Sequence, residues 1–170
     1  LLPARSREIA PASTADVETV LRKEGSSSLL ELDTLGISFG GVRAVDGVSL
    51  AIRPGEVTSI IGPNGAGKTT ILNMVSGFYA PSDGRVLLGD NNLAGAPAHA
   101  VARAGIARTY QTTKLFENLT VVANVVSGLS RGVLGNPWMD VQSPANLALA
   151  AGLLRFCGYQ GDLEKRAGDL

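Results

Sequence analysis

The nine residues Gly62-Pro63-Asn64-Gly65-Ala66-Gly67-Lys68-Thr69-Thr70 leave this chain few folds to choose from. They match G-x-x-x-x-G-K-[ST], a loop whose backbone N–H groups converge on phosphate oxygens. The glycines keep Cβ atoms out of the way, so main chain and anion can approach closely. Such a loop sits between a strand and a helix. The apolar run Val57-Thr58-Ser59-Ile60-Ile61 has the length of a buried strand. Ile71, Leu72, Met74 and Val75 follow at helical spacing before Gly77 stops the run. The helix N-terminus brings partial positive charge to the same oxygens. In this pattern Lys68 reaches the β- and γ-phosphates and the Thr69 hydroxyl ligates Mg²⁺. The plainer alternative is a glycine-rich strand-to-helix turn with an exposed lysine. Motif and flanks together favour the phosphate loop.

Composition narrows the class. The 170 residues are enough for one domain with a hydrophobic core. Fifteen Lys and Arg balance 15 Asp and Glu, so no global basic field suits nucleic acid. The 21 glycines and 5% aromatics fit an α/β domain rich in turns. A single Cys157 excludes an internal disulfide framework, and its apolar neighbours Leu153, Leu154 and Phe156 predict a buried thiol. His99 has no Cys or His nearby and is expected on a surface helix, not at a metal. No stretch reaches the ~20 apolar residues of a membrane-spanning helix. Leu1-Leu2-Pro3-Ala4-Arg5 has no signal-peptide core behind it and no initiator Met before it, so the chain is expected to be a piece of a longer protein.

Taken in order, residues 1–28 mix charges with Pro, Ala, Ser and Thr and read as a linker or disordered tail, with room for a short helix at 16–21. Ordered structure is expected over 29–170 as one partial domain. Residues 29–35 read as a strand, Gly40-Gly41 as a turn, and the alternation of Val45, Val48, Leu50 and Ile52 as antiparallel strands. Pro81-Ser82-Asp83-Gly84 reads as a turn before a strand at 85–89. A helix is predicted from Pro97 to Gly105 and a strand over 105–111. Helices are predicted over 120–126, 144–156 and 162–167.

The order of these features resembles the nucleotide-binding subunits of ABC transporters, and most closely those of branched-chain amino acid importers. The resemblance rests on Phe39-Gly40-Gly41-Val42-Arg43-Ala44-Val45, the phosphate loop, Ser76-Gly77-Phe78-Tyr79, Pro81-Ser82-Asp83-Gly84-Arg85-Val86, Gly105-Ile106-Ala107-Arg108-Thr109-Tyr110-Gln111, and Leu115-Phe116-Glu117-Asn118-Leu119-Thr120-Val121-Val122-Ala123-Asn124-Val125. It implies an α/β P-loop fold with an antiparallel β-subdomain and part of a helical subdomain. It implies ATP or ADP and Mg²⁺ as ligands. Phe39 would stack on the adenine, with Val45 beside it among the nucleotide-binding residues, and residues 62–70 would hold the phosphates. Gln111 would approach Mg²⁺ and the attacking water, so Lys68 and Gln111 carry catalysis and Thr69 and Gln111 the metal.

The resemblance also implies partners. Residues 111–125 would dock on a transmembrane permease, with Leu115, Phe116 and Leu119 as apolar contacts. A second ATP-binding subunit would complete a nucleotide sandwich, and a periplasmic binding protein would act indirectly. The protein would work at the cytoplasmic face of the membrane, alone or fused to a permease. The L-S-G-G-Q signature would begin at Leu170, and the Walker B carboxylates and switch histidine would lie beyond it. The chain is therefore expected to bind nucleotide without hydrolysing it, to leave residues 57–61 as an open apolar edge, and to be marginally stable. The alternatives are another P-loop enzyme, a non-transport ATPase of the same type, or a permease-docking module without catalysis.

Overall fold

The computed structural model describes residues 9–24, 28–110, 114–129 and 143–170. In chain order the elements are α1 (Thr14–Glu24), β1 (Leu30–Phe39), β2 (Val42–Ile52), α2 (Lys68–Val75), β3 (Asp83–Leu88), β4 (Asn91–Asn92), α3 (Ala98–Ala104), α4 (Val121–Leu129) and α5 (Pro144–Phe156). They divide into two units. One holds residues 25–109; the other holds 1–24 and 110–170.

The first unit is built on an antiparallel sheet of order β2-β1-β3-β4. Gly40 and Gly41 join β1 to β2 with φ of 54° and 84°, the doubly positive pair that matches the twist of a tight hairpin. Leu32 faces Leu50 of β2 and Val86 of β3, so the alternating apolar positions meet across both ladders. Leu32, Leu35, Ile37, Val45 and Val86 form the core with Ile71 and Met74 of α2. Met74 is 1% exposed. Met74→Ala is expected to cost about 2–5 kcal/mol through lost packing and a residual cavity. Urea unfolding at unchanged m-value would measure it, and a loss below ~1 kcal/mol would mean the site collapses freely.

Pro81-Ser82-Asp83-Gly84 was expected to be a turn ahead of the strand, but β3 already starts at Asp83. Gly84 lies where β1 departs from regular register between Asp33 and Gly36. Its φ is 82°, and a Cβ there would stand 2.5 Å from the Asp33 carbonyl oxygen. The glycine thus serves a close crossing of β1 and β3.

Two predicted strands are absent. Residues 57–61 and 106–110 carry no strand hydrogen bonding. Val57 and Ile61 are 97% and 92% exposed. A strand exists only as half of a ladder, and neither segment pairs in the sheet of the described residues. Val57 and Ile61 are open to water, but with no strand at 57–61 they do not form the sheet edge that was expected.

The second unit packs α4 and α5 around Val122, Val126, Leu147 and Ala150. Residues 9–24 fall in the stretch expected to be linker or tail with a short helix at 16–21; they carry the longer, eleven-residue helix α1. Ser13 starts it by accepting the Asp16 N–H at 3.2 Å and donating its hydroxyl to Asp16 Oδ2 at 2.6 Å, a reciprocal cap. Val17 of α1 is 1% exposed. A Cβ on Gly152 of α5 would come within 2.8 Å of Val17 Cγ2, so that glycine admits the close approach of α1 and α5.

The helix predicted at 162–167 is also absent. That segment makes turns, a bridge from Arg166 to Thr120, and a single 3₁₀ turn at Ala167–Asp169. Its carbonyls have another use. Lys165 O accepts the Val121 N–H at 2.9 Å and Leu163 O accepts the Val122 N–H at 3.1 Å. These are N-terminal donors of α4 that the helix cannot satisfy itself. Cys157, expected to be buried, is exposed. It caps the C-terminus of α5 beyond the buried stripe of Leu147, Ala150 and Ala151. His99 is exposed on α3, as its surroundings suggested.

Candidate functional site

The phosphate loop begins with exposed residues Gly62, Pro63, Asn64, Gly65 and Ala66. The Ala66 N–H donates to Pro63 O at 3.3 Å and closes a turn. Gly65 and Gly67 have φ of 86° and 81°. Gly67 is also crowded: a Cβ there would lie 2.9 Å from Ala44 O and 3.0 Å from Val45 Cγ2. The loop therefore rests directly on β2. Val45, expected beside the nucleotide, is 5% exposed and belongs to the core under that loop. In this structure it packs in the core and underlies the loop at Gly67.

Gly67 is the N-cap of α2 and no side chain caps the helix. The first internal bond runs from the Ile71 N–H to Gly67 O at 2.9 Å. The N–H groups of Lys68, Thr69 and Thr70 precede it and have no carbonyl one turn back within the helix. A helix that starts without a cap, behind a glycine loop, offers its donors and its positive end to an anion. Lys68 Nζ reaches back over the loop and donates to Gly62 O at 2.7 Å and Pro63 O at 2.6 Å. Thr69 is exposed at the first turn and Thr70 half-buried.

These residues fit a nucleoside polyphosphate with a hard divalent cation. A hydroxyl oxygen suits Mg²⁺, which takes most of its other ligands from phosphates and water. Among the described residues no group of three or more His, Cys, Asp or Glu could form a metal cage. Thr69 would supply the protein ligand.

Phe39 ends β1 and is 45% exposed. Its ring meets Tyr79 edge-to-face, with centroids 5.3 Å apart and planes at 72°. Ion pairs link the strands of its sheet. Arg85 donates to Asp33 Oδ2 through Nε at 3.1 Å and Nη2 at 2.5 Å, joining β1 to β3. The hydrogen bonds from Arg85 hold the Asp33 carboxyl below the ordinary carboxylate range. Arg43 of β2 pairs with Asp83 of β3 and Asp46. The bond to Asp83, followed by that to Asp46, holds the Arg43 guanidinium above its usual value.

Gln111 lies outside the described residues. Beyond it, Leu115 and Phe116 are 45% and 63% exposed, and Leu119 is half-buried. The Asn124 carboxamide fixes this corner. Its Oδ1 accepts the Phe116 N–H at 2.8 Å, and its Nδ2 donates to Phe116 O at 3.1 Å and Thr120 O at 3.0 Å.

Sequence reasoning singled out neither Asn73 nor the side chain of Arg108. Arg108 Nη1 donates to Asn73 Oδ1 at 2.6 Å and to Ser76 Oγ at 3.0 Å, at the C-terminal end of α2. Its guanidinium lies 6.0 Å from the Phe78 ring centroid. The only local hint was Gly77, a glycine at the position where helices turn out of α geometry.

The family model described as ABC transporter matches residues 45–167. The chain is 39% identical over 153 residues to the high-affinity branched-chain amino acid transport ATP-binding protein LivG of Escherichia coli strain K12, covering 85% of this chain and 60% of LivG. It is 45% identical over 101 residues to BraF of Pseudomonas aeruginosa, a protein of the same description, covering 59% of this chain and 40% of BraF. The crystal structure of the ADP conformation of an ATP-binding cassette of an ABC transporter superposes with a TM-score of 0.69 at 29% identity, covering 84% of this chain and 59% of that one. The chain thus spans 60% of the length of LivG.

Proposed function

The chain belongs to the ABC transporter family, and from that premise we propose that it is the nucleotide-binding part of an ATPase that powers import of branched-chain or related amino acids. The observation that carries the nucleotide reading is the uncapped start of α2 behind Gly67, with Lys68 Nζ folded over the loop carbonyls. The cargo class is supported by the descriptions of LivG and BraF.

In this reading the loop N–H groups and those of Lys68, Thr69 and Thr70 bind the β- and γ-phosphates. Lys68 adds a full charge where the transferring phosphoryl group carries its own. Thr69 would hold Mg²⁺, whose chemistry is to neutralise the phosphate oxygens and keep them in line for attack. Phe39 offers an aromatic surface to the base. Gln111 is assigned to the metal and the attacking water by its sequence position alone.

The parent protein would pair with a second ATP-binding subunit and dock on permease subunits at the cytoplasmic face of the membrane, and a periplasmic binding protein would act through them. The exposed Leu115 and Phe116, the second with its backbone held by Asn124, support docking along 111–125. Among the described residues no helix is long and apolar enough to cross a membrane.

The chain itself is expected to bind Mg²⁺-ATP and Mg²⁺-ADP saturably and to release no phosphate above the Lys68→Ala blank. A calorimetric titration with phosphate followed in the same sample tests both statements. Phosphate release that disappears in Lys68→Ala would overturn the second. Failure to bind either nucleotide would overturn the first.

A further inference from the structure

We propose that Tyr79 is a positioning residue for the nucleobase: its ring holds Phe39 and ties the base platform to the helix that carries the phosphate loop. The inference rests on the nucleotide reading above and assigns a residue that the motifs leave without a role.

Phe39 stands at the end of a strand and is 45% exposed, so packing alone leaves its ring free to change rotamer. Tyr79, itself 40% exposed, meets it at 5.3 Å and 72°. That is the edge-to-face arrangement aromatic quadrupoles favour. Whichever ring presents its edge, Tyr79 can occupy at most one face of Phe39. With Phe39 45% exposed, surface is left on which a base could stack.

What fixes the backbone of Tyr79, and so the point from which its ring reaches Phe39, is the end of α2. The Phe78 N–H donates to Asn73 O at 2.8 Å and the Gly77 N–H to Met74 O at 3.2 Å, the paired bonds of a Schellman stop. The Tyr79 N–H shares Asn73 O at 3.2 Å. Gly77 has a φ of 74°, and a Cβ there would lie 2.7 Å from Ala96 O and 2.9 Å from Ala98 N. The turn therefore has one path. Asn73 is locked in turn by Arg108.

α2 thus has a task at each end. Its N-terminus carries the phosphate donors and its C-terminus carries the ring that backs Phe39. Eight helical residues make a spacer of about 12 Å that does not stretch. The span between phosphate loop and base platform is set by the helix, through Tyr79.

The test compares Mg²⁺-ATP with inorganic tripolyphosphate, which has no base. Calorimetric affinities are measured for the chain, Tyr79→Phe, Tyr79→Leu, Phe39→Leu and the Tyr79→Leu/Phe39→Leu pair. Tyr79→Leu is expected to weaken ATP roughly two- to tenfold, the usual size of an aromatic pair contact, and to leave tripolyphosphate unchanged. Tyr79→Phe should bind as the parent does. Once Phe39 is gone, Tyr79→Leu should cost nothing more. An equal loss for both ligands would mean that Tyr79 only supports the fold. A loss that persists in full without Phe39 would mean that it acts elsewhere. Either result overturns the proposal while the nucleotide reading stands. If Lys68→Ala binds tripolyphosphate as well as the parent does, the nucleotide reading itself fails, and this inference with it.

Discussion

Lys68→Ala is expected to weaken Mg²⁺-ATP binding by roughly ten- to a hundredfold, the equivalent of the ~1.5–3 kcal/mol carried by a hydrogen bond to a charged group. The structure explains why one side chain carries so much. An ammonium has three donors. Two of them go to Gly62 O and Pro63 O at 2.7 and 2.6 Å, which draws the loop around the charge. The third is left for a phosphate oxygen. Alanine removes both the charge and the tie that shapes the loop. ADP, which lacks the γ-phosphate, should lose less than ATP. Lys68→Arg keeps the charge but not the compact three-way geometry, and should not restore affinity. Calorimetry on the three chains gives the ordering directly, with far-UV circular dichroism as the check on folding. ATP affinity unchanged in Lys68→Ala would mean that the loop does not hold phosphates in the assigned way.

The parts of this structure that sequence reveals are those decided by neighbours in the chain. The phosphate loop, the start of α2 near it and the Gly40-Gly41 hairpin depend on local φ and on cap geometry, and glycine spacing reports both. Residues 57–61 and 106–110 look like strands because they are apolar, but a strand is defined by a partner, and pairing is not written in the segment itself. The stretch at 162–167 looks like a helix, yet it spends its carbonyls on the donors of Val121 and Val122, a tertiary use no periodicity shows. α1 is the intermediate case. The short helix read at 16–21 is there, but it runs from Thr14 to Glu24, because Ser13 caps it one turn earlier by accepting the Asp16 N–H. The glycine loop and helix start at 62–70 could be read from spacing; the contact of Phe39 with Tyr79 could not, because it joins the end of β1 to the turn after α2.

The three loop glycines should separate into graded effects, with Gly67→Ala the most damaging. Gly67 has a φ of 81°, which costs an L-residue about 1–2 kcal/mol. Its added Cβ would also press on Ala44 O at 2.9 Å and Val45 Cγ2 at 3.0 Å. Ala44 O is backbone of β2 and Val45 is core, so neither can swing away, and overpacking adds roughly 1–3 kcal/mol. Gly65 has a φ of 86° but nothing within 4 Å of its Cβ position. Gly65→Ala should therefore show the backbone cost alone. Gly62 has no positive φ and its Cβ would meet only Ala66 Cβ at 3.4 Å, an ordinary contact. Gly62→Ala should leave stability close to the parent. Urea midpoints should fall in the order Gly62→Ala, Gly65→Ala, Gly67→Ala, with ATP affinity falling most in the last, because a displaced Gly67 moves the first helical donors with it. Equal midpoints for Gly65→Ala and Gly67→Ala would show that β2 yields to the added methyl, and that the loop does not rest on the sheet as tightly as its contacts indicate.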